Sequence, residues 1–586
     1  MKVSDYIVDF LARKNIDTVF GYMGGMVTHI ADSINKNDFV KFIPVYHEQT
    51  AAFAAVGYAR HTNNVGVAIA TSGPGATNLM TGIADAFFDS APTIFITGQV
   101  NTYEYKYDKP LRQTGFQELD VVSSVKPYTK YAKMIDKIED IPYQLELAYN
   151  IATSGRKGPV VLDLPMNIQR GILPEDCLLE SITTKNLDLV DLSEIKALLA
   201  TATRPLVLVG GGVASASATK QMQDFLNNTA IPFVSSLHGK NVCDEYSLNY
   251  IGSIGSYGNR CANMAMANTD LLLVFGSRLD VRQIGGVPDS IAIGGNIVHF
   301  DIDIHELEYS RLQPKINVHI DLITALQQLT KWNINLDLTA WSSYLQTLKN
   351  KYSQANEIVK SIDDTSPYEL IDILNRNTET DAIYCADVGQ NQMWSMQMLK
   401  LKIQQNFYTS GGLGSMGCCL PLSIGISFAD KCKRSIYAIC GDGGFHMSTQ
   451  SLLLISQYNL PIKVIVINNK SLGMITQFQE LYFDNVTIGT NEQGGYLVPD
   501  LEFMAKSYGL KYLKYDTTDS KSSIKNKITD FFNSRNCLFE YVIAEDCRVY
   551  PKLEYNQPIY NPSPILTNDE LEANMYVSLK KSADHE

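Results

Sequence analysis

The residue pattern most suited to chemistry combines an acid and an amide, each placed directly after a strand-like run. Gly441-Asp442-Gly443-Gly444 follows SIYAIC, and Asn468-Asn469 follows KVIVI, so that Asn469 stands 28 positions after Gly441. Neighbouring parallel strands deliver such residues to one edge of a sheet. Carboxylate and amide oxygens, with a backbone carbonyl at Ser471, suit Mg²⁺, and the glycines let backbone N–H groups approach a diphosphate. Plain β-turns after the two strands are the structural alternative.

A second candidate is Glu48, which lies between the strand-like run FIPVY and the helical stretch TAAFAAVGYARHT. A carboxylate at a helix start often makes only a favourable contact with the helix dipole. Two glycine-rich loops accompany it, SGPGATN at 72–78 and SGGLGSMG at 410–417. The second contains a formal G-x-G-x-x-G, but no strand-terminal acid follows about 20 residues on. We therefore favour a loop over a flat ring to a dinucleotide fingerprint.

A further set of polar loops lies in the middle of the chain. Gly210-Gly211-Gly212 follows LVLV, the segment 276–282 (GSRLDVR) follows LLLVF, and Asp301-Ile302-Asp303 follows IVHF. Glycines, arginines and acids after neighbouring strands can hold the phosphates and hydroxyls of a large nucleotide. The alternative is a structural domain that binds no nucleotide.

The elements that must position these loops are short apolar strands alternating with amphipathic helical stretches. Examples are VGVAIATSG, APTIFITGQ, GPVVLDLP, RPLVLVGGG, TDLLLVFGSR, SIYAICGDGG and LPIKVIVINN. This alternation predicts an α/β fold of doubly wound parallel sheets covered by helices. The strand pattern lapses near 170–190 and 335–365, which predicts three domains at 1–170, 185–340 and 360–547, and a tail at 548–586.

Composition narrows the class of protein. The 586 residues are 45% hydrophobic and 19% charged, which fits large globular cores and excludes disorder, collagen and coiled coil. The formal net charge is −13 and there is no run of five Lys or Arg, so we expect no nucleic-acid partner. The start has no signal or transit pattern, no run of about 18 apolar residues occurs, and the ten cysteines include no CxxC pair. These features predict a cytoplasmic chain with reduced thiols and no membrane contact.

Together these residues resemble the thiamine diphosphate (ThDP) enzyme family, and within it the catalytic subunit of acetohydroxyacid (acetolactate) synthase. The resemblance runs in unbroken order from residue 1 to about 547 and is carried by YHEQTAAFAAVGYAR, TSGPGATN, ITGQV, TGFQELD, GPVVLDLP, VGGG, FGSRLDVR, IVHFDID, VGQNQMW, TSGGLGSMG, GDGGF and NNKSLGM. It implies a pyrimidine-binding domain, a central domain that holds FAD and a pyrophosphate-binding domain. It also implies that ThDP bridges two chains, so that the protein is a homodimer or tetramer.

The resemblance implies roles for individual residues. Glu48 matches the carboxylate that hydrogen-bonds the aminopyrimidine ring and favours the tautomer that removes the thiazolium proton. Gln117 matches a side chain that faces the reacting carbons. Together with Glu48 and Gln117, Gly25 is a position to which the resemblance assigns a catalytic role. Asp442, Asn469 and the Ser471 carbonyl match the Mg²⁺ ligands.

The remaining matched positions are cofactor contacts. Met416 matches the residue that wedges between the two ThDP rings. The other ThDP contacts are Gly75, Asn78, Val388, Gly389, Gln390, Asn391, Gly414, Gly441, Gly443, Gly444, Gly473 and Met474. The FAD contacts are Gly211, Gly212, Arg278, Arg282, Asp301 and Asp321.

Departures from the family pattern surround the second substrate. Met166 replaces the lysine of VPKD, Phe478 replaces a tryptophan, Val281 replaces an aspartate, and the loop 22–26 (YMGGM) stands where the family has YPGGA. Such changes should alter the acceptor more than the cofactor chemistry. The proline-punctuated tail also resembles the C-terminal segment of ThDP carboligases that act on keto sugars, although a surface extension without a chemical role is the alternative.

We therefore expect a ThDP- and Mg²⁺-dependent enzyme that decarboxylates pyruvate and adds the two-carbon unit to a second 2-keto acid. A first alternative keeps this donor and uses a keto sugar as the acceptor. A second is simple 2-keto acid decarboxylation, although such enzymes usually carry paired histidines and this chain has no His-His pair. The acceptor, the oligomeric state, a regulatory subunit, the retention of FAD and the role of the tail stay open at this level.

Overall fold

The computed structural model describes residues 1–174, 177, 190–332, 334–358, 366–516, 519 and 521–578. Within these ranges the chain forms three six-stranded sheets in which every strand pairing is parallel. The predicted α/β fold of three doubly wound sheets is confirmed. Residues 185 and 360, the predicted starts of the second and third domains, lie outside the described residues, so these limits stay predictions. None of the helices in the described ranges combines the length and hydropathy that a membrane crossing requires.

The first sheet has the strand order β2-β1-β3-β4-β6-β5. Its strands are β1 (Thr18–Gly21), β2 (Lys41–Pro44), β3 (Gly66–Ala70), β4 (Thr93–Gln99), β5 (Tyr131–Met134) and β6 (Pro159–Pro165). The accompanying helices are α1 (Val3–Arg13), α2 (Thr28–Asn35), α3 (Glu48–Thr62), α4 (Pro74–Phe88), α5 (Val121–Val125), α6 (Ile141–Thr153) and α7 (Met166–Gln169).

The central sheet has the order β12-β11-β10-β7-β8-β9. Its strands are β7 (Pro205–Val209), β8 (Phe233–Ser235), β9 (Tyr250–Ser253), β10 (Leu271–Phe275), β11 (Asn296–Asp301) and β12 (Ile316–His319). Its helices are α8 (Ser193–Thr201), α9 (Gly211–Ser215), α10 (Thr219–Thr229), α11 (Arg260–Asn268), α12 (Val281–Ile284), α13 (Ile304–Glu308), α14 (Leu322–Leu329), α15 (Thr339–Lys351) and α16 (Gln354–Ile358).

The third sheet has the order β14-β13-β15-β16-β18-β17, which repeats the topology of the first. Its strands are β13 (Ile383–Ala386), β14 (Asn406–Tyr408), β15 (Ile436–Gly441), β16 (Ile462–Asn468), β17 (Tyr512–Tyr515) and β18 (Cys537–Val542). Its helices and the tail helix are α17 (Pro367–Asn377), α18 (Gln390–Met398), α19 (Cys419–Ala429), α20 (Asp442–His446), α21 (Ser451–Gln457), α22 (Gly473–Tyr482), α23 (Leu501–Ser507), α24 (Lys521–Asn533) and α25 (Asn568–Asn574).

The strand orders determine where ligands can bind. In doubly wound sheets a crevice opens outside the carboxyl ends of the strands, at the point where the strand order reverses. The reversals fall between β1 and β3, between β7 and β10, and between β13 and β15. The central order is the one found in dinucleotide-binding folds. Predicted site residues follow the strands at each reversal, and Glu48, Asn469 and Asp301 lie at the ends of the neighbouring strands β2, β16 and β11.

The first and third sheets share one apolar core, because α3 crosses α19 at very short range. An added Cβ at Gly57 would lie 2.4 Å from the Leu422 carbonyl oxygen, and one at Gly425 would lie 1.9 Å from that of Ala54. Buried apolar residues of both domains meet in a single cluster around this crossing. Glycine is therefore required at these two positions by the closeness of the helices.

The tail packs closely against the central domain. The Leu553 N–H donates to the Ser256 carbonyl at 2.7 Å, and the buried Arg260 guanidinium donates to the carbonyls of Pro562 and Pro564, each at 2.8 Å. Ile559 is fully buried, and the Tyr576 ring meets Trp341 and Tyr344 edge-on. Up to residue 578 the tail is an integral part of the domain surface.

Gly425→Ala should lower the melting temperature, because its methyl group would collide with the backbone of α3. Overpacking of this kind costs about 1–3 kcal/mol, which exceeds the roughly 1 kcal/mol that alanine gains over glycine in a helix. Gly286→Ala is the matched control, since the nearest atom to its added Cβ is 3.9 Å away. Thermal melting checks this, and equal melting of the two variants would contradict the close crossing.

Candidate active site

The predicted metal ligands lie together at the carboxyl ends of β15 and β16. The Asn469 N–H donates to Asp442 Oδ2 at 3.2 Å, and the Ser471 N–H donates to Asn469 Oδ1 at 3.3 Å. The Tyr496 hydroxyl donates to Asp442 Oδ1 at 2.7 Å. Burial raises the pKa of the Asp442 carboxyl above its usual range, and the Tyr496 hydrogen bond opposes this rise.

This donor set fits a small hard cation. It combines one carboxylate, one side-chain amide and nearby backbone carbonyls, which are the oxygen ligands that Mg²⁺ shares with phosphates. No group of three His, Cys, Asp or Glu side chains at metal-binding range occurs in the described ranges. A cation here would therefore complete its coordination with a ligand's own oxygens, as a diphosphate provides.

The glycines around the metal ligands make room for the predicted cofactor contacts. A Cβ at Gly443 would lie 3.3 Å from Met416 Cε, and one at Gly441 would lie 3.2 Å from Asn391 Oδ1. The Gln390 side chain lies against Gly473 and accepts from Asn469 Nδ2 at 3.1 Å. These close contacts bring six of the predicted ThDP residues into one cradle beside the metal ligands: Gln390, Asn391, Met416, Gly441, Gly443 and Gly473.

Asp387 organises this cradle and was missed by the sequence reasoning. It follows β13, is fully buried, and accepts the N–H groups of Val388 at 2.7 Å, Gly417 at 2.9 Å and Cys419 at 3.2 Å. Burial raises the pKa of its carboxyl to about 6, although the three N–H donors oppose the rise. The available signal was its position directly after the strand IYCA, like Asp442 after IYAICG.

The predicted pyrimidine residues lie at the carboxyl edge of the first sheet. Glu48 is the first residue of α3 and is 7% exposed. Its Oε2 accepts from Asn78 Nδ2 at 2.9 Å, and a Cβ at Gly75 would lie 3.2 Å from its Oε1. Gly25 is the first residue of a short 3-10 turn in the neighbouring loop. A Cβ added to it would have no other atom within 4 Å. The first sheet thus brings Glu48, Gly75 and Asn78 together and places Gly25 at an open surface.

Gln117 lies beside this group on a loop with an unusual backbone. Its φ of 63° is in the left-handed region, and Gly73, with φ 61°, lies directly against it. The neighbouring Glu118 carboxylate accepts the N–H groups of Lys106 at 2.9 Å, Thr114 at 2.7 Å and Gly115 at 3.0 Å. Burial opposes ionisation, but these donors lower the pKa of Glu118 overall. Glu118 therefore fixes the loop that presents Gln117.

A cavity of about 570 Å³ occupies the strand-order reversal of the central sheet. All six predicted FAD contacts line it: Gly211, Gly212, Arg278, Arg282, Asp301 and Asp321. Its size lies within the usual range of ligand pockets, roughly 300–1,000 Å³. The arginines can hold phosphates, and burial raises the pKa of the Asp301 carboxyl to about 6. The Asp321 carboxylate also caps α14, accepting from the Ile323 and Thr324 N–H groups.

Two of the departing residues, Met166 and Phe478, lie at separate places. Met166 begins α7, and the adjacent Asn167 exchanges two hydrogen bonds of 2.9 Å with Thr102, at the start of the Gln117 loop. Phe478 lies on α22, where its ring meets Tyr482 at 5.0 Å and Tyr555 of the tail at 6.2 Å between centroids. The tail therefore covers the helix that follows the metal ligands.

Three domain models of one family match this chain. They are described as the N-terminal TPP binding domain, the central domain and the C-terminal TPP binding domain of thiamine pyrophosphate enzymes, and they match residues 1–124, 192–329 and 387–539. Thiamine pyrophosphate is another name for ThDP. The chain belongs to the thiamine pyrophosphate enzyme family, as the sequence resemblance predicted.

Several proteins with sequences similar to this chain are named acetolactate synthase. The chain is 34% identical to the acetolactate synthase large subunit of Corynebacterium glutamicum over 93% of this chain and 87% of that one. It is 34% identical to the acetolactate synthase isozyme 2 large subunit of Escherichia coli, over 87% and 90% of the two chains. It is 32% identical to the probable acetolactate synthase large subunit of Methanocaldococcus jannaschii, over 100% and 99%.

Asp442→Ala should abolish retention of ThDP, because the diphosphate loses the cation that neutralises it, and excess Mg²⁺ should not restore binding. Tyr496→Phe is the control, since it removes the hydrogen bond to Asp442 and keeps the carboxylate. We expect its ThDP affinity to stay within a few-fold of wild type. Calorimetric titration of ThDP with Mg²⁺ measures both variants, and unchanged affinity in Asp442→Ala would place the metal elsewhere.

Glu118→Gln should disorder the Gln117 loop, since an amide cannot replace a carboxylate that accepts three N–H groups. Hydrogen bonds to charged groups are worth about 1.5–3 kcal/mol, so product formation should fall about tenfold or more. ThDP affinity should not change, because Glu118 contacts the loop alone. Glu139→Gln, at an exposed position of the same domain, is the control. Steady-state rates and ThDP titration decide, and equal rates in the two variants would refute the role of Glu118.

Proposed function

We propose that this chain decarboxylates pyruvate and transfers the two-carbon unit to the carbonyl group of a second molecule, as an acetolactate synthase-type enzyme that uses ThDP and Mg²⁺. The supporting observation is that Asp442, Asn469 and Met416 meet in one glycine-lined cradle at the strand-order reversal of the third sheet. The relatives named acetolactate synthase support the same reaction.

The chain's own residues have separate tasks in this reaction. Asp442, Asn469 and the Ser471 carbonyl would hold Mg²⁺ against the diphosphate, and Met416 would support the bent shape of the cofactor. Bound ThDP supplies the carbanion chemistry. Glu48, held by Asn78, would keep a proton on the pyrimidine ring, because a buried carboxylate favours a positive partner. Gln117 would orient the carbonyl group that accepts the new bond.

A homodimer is part of the proposal, because the two halves of the site are separate. In the described residues no hydrogen bond or ion pair joins the Glu48 group to the Asp442 group, although each half is well formed. Large apolar side chains near both halves are exposed, among them Met23, Phe116 and Ile475. Exposed apolar patches mark interaction sites. A second copy of this chain would cover them and complete each site, in a cytoplasmic assembly without nucleic acid.

FAD in the central cavity is also part of the proposal. The strand order of the central sheet, the two arginines and the cavity volume support a dinucleotide there. The proposed reaction leaves no net electrons to transfer, so the flavin would stabilise the structure rather than exchange electrons.

We propose that this chain accepts a wider range of second substrates than the similar enzymes do. Met166 removes a positive charge near the Gln117 loop, which weakens attraction for a second carboxylate. Phe478, Tyr482 and Tyr555 form an aromatic wall to which the tail contributes one ring. This wall favours a bulkier ketone, and a keto sugar is the second candidate acceptor.

Glu48→Gln should keep ThDP binding and lose most turnover, because an amide cannot stabilise the protonated pyrimidine. General acid–base steps are worth about 10²–10⁴ in rate, and we expect a loss in this range. Glu194→Gln, at an exposed position of α8, should be active and serves as the control. Release of CO₂ from pyruvate with saturating ThDP and Mg²⁺ provides the measurement, and wild-type turnover in Glu48→Gln would overturn the assignment.

The unmodified protein should consume pyruvate, form acetolactate, show no marked advantage for 2-ketobutyrate, and accept at least one bulkier ketone in competition with pyruvate. Met166→Lys combined with Phe478→Trp should shift products towards 2-keto acid acceptors, because charge returns and space is lost, while CO₂ release stays within a few-fold. Product ratios from mixed acceptors measure this. A strict 2-ketobutyrate preference in the unmodified protein, or no use of pyruvate, would refute it.

A further inference from the structure

The loop that carries Met416 is held in place by carboxylates of the first domain. Asp89, which caps the end of α4, accepts the Gly412 N–H at 2.7 Å and the Gly411 N–H at 3.1 Å. Asp85, one turn earlier, accepts from the Ser410 hydroxyl, whose oxygen in turn accepts the N–H groups of Gly414 and Ser415 at 3.1 and 3.0 Å. Two carboxylates of another domain therefore hold the first half of the loop 410–417, Asp89 through two N–H groups and Asp85 through the Ser410 hydroxyl.

His238 connects this arrangement to the central cavity. Its Nε2 lies 3.2 Å from Asp89 Oδ1, and its Nδ1 lies 3.0 Å from an Arg60 guanidinium nitrogen. The ring lies against Gly411, where an added Cβ would be 2.3 Å from Nε2, and its Cβ lies against Gly211. His238, Asp89, Arg60, Gly211 and Gly411 all line the central cavity. The imidazole and the first glycine of the Met416 loop thus lie side by side in the cavity wall.

The charges around His238 favour one protonation state. Arginine only donates hydrogen bonds, so Nδ1 must accept from Arg60 and the ring proton must lie on Nε2, towards Asp89. Burial lowers the pKa of His238 most, Arg60 and Arg278 lower it further, and Asp89 opposes them. Burial disfavours the Asp89 anion, but His238, Arg60 and the Gly411 N–H lower the pKa of Asp89 overall. Burial and the nearby Asp89 charge raise the pKa of Asp85 to about 7.

A neutral His238 beside an ionised Asp89 forms a directional contact. Nε2 of the imidazole lies 3.2 Å from the same carboxylate oxygen that accepts the Gly412 N–H, without a hydrogen bond of normal geometry, while Arg60 also donates to the Thr409 carbonyl at 2.7 Å. If the ring turned away, Asp89 would lose the N–H dipole that lies beside its charge, and Arg60 would lose an acceptor next to the start of the loop. The loop position therefore depends on the orientation of a side chain in the cavity wall.

We propose that Asp89 and His238 are positioning residues that couple the central cavity to the Met416 loop. A ligand that packs against His238 from the cavity fixes the ring and thereby strengthens binding of ThDP at the other side. By linkage, ThDP must strengthen binding of the cavity ligand by the same factor. The inference rests on the proposed function, since it takes a dinucleotide such as FAD as the cavity ligand and ThDP as the ligand of the loop.

The test measures the dissociation constant of ThDP with Mg²⁺, by calorimetry, with and without saturating FAD, and that of FAD, by its fluorescence, with and without ThDP. In the wild-type protein each ligand should tighten the other by the same factor, about tenfold, since such couplings are typically 5–150-fold. His238→Ala should weaken ThDP several-fold without FAD and reduce the coupling factor to about one.

Two variants separate positioning from general damage to the fold. In His238→Gln the amide can accept from Arg60 and donate to Asp89, so it should restore most of the coupling. His305→Ala, at an exposed histidine of the same domain, should retain the wild-type factor. Thermal melting of each variant confirms that it is folded.

The outcomes separate this inference from the proposed function. Binding of FAD and ThDP to wild type with no mutual effect would overturn the coupling and leave the proposed function intact. A coupling factor in His238→Ala equal to that of wild type would overturn the role of His238. If wild type bound no FAD, the flavin assignment and the coupling would both fail. Failure to bind ThDP would overturn the proposed function itself.

Discussion

The order of strands in three parallel sheets is the constraint on which the site depends. In a parallel sheet every connection leaves a strand at its carboxyl end. Where the strand order reverses, the loops that follow two neighbouring strands run to opposite sides of the sheet and leave a crevice between them. Each reversal in this chain is bordered by glycine-rich loops: those after β1 and β3, after β7 and β10, and after β13 and β15. The metal ligands Asp442 and Asn469 meet because β15 and β16 pair in register, with Gly441 opposite Ile467. No contact between distant parts of the fold is needed to assemble them.

Buried carboxylates that accept backbone N–H groups give these loops fixed shapes. Asp387 accepts three such donors around the ThDP cradle, Glu118 accepts three in the Gln117 loop, and Asp89 accepts two from the Met416 loop. Buried N–H groups of a non-repetitive loop have no ladder partner, so they need an acceptor from a side chain. A carboxylate can serve several of them at once. The loops are therefore rigid without regular secondary structure.

Much of this arrangement could be predicted from the sequence, because parallel strands have a clear signature. Apolar runs ending in Gly, Ser or Asn predicted the three sheets and the positions of Asp442 and Asn469, and Glu48 was placed between a strand-like run and a helical stretch. Asp387 lies directly after a strand and could have been found in this way, but Asp89 and His238 could not. Asp89 and His238 each act on a loop that is distant in the chain, and the partner of a side chain across a domain boundary depends on packing rather than on local pattern. The left-handed backbone of Gln117 could not be predicted either, because glutamine has no preference for a positive φ.

The packing of the tail has a consequence for synthesis on the ribosome. Domains generally fold as units while the chain emerges, with the N-terminal one first. The central domain is made before the third, but Ile559 and Leu571 belong to one of its apolar clusters together with Leu206 and Trp341. That surface stays uncovered until residues 559–571 have left the ribosome. The central domain is thus completed after the third, and translation that stops before residue 559 should leave an aggregation-prone product rather than a slightly shorter enzyme.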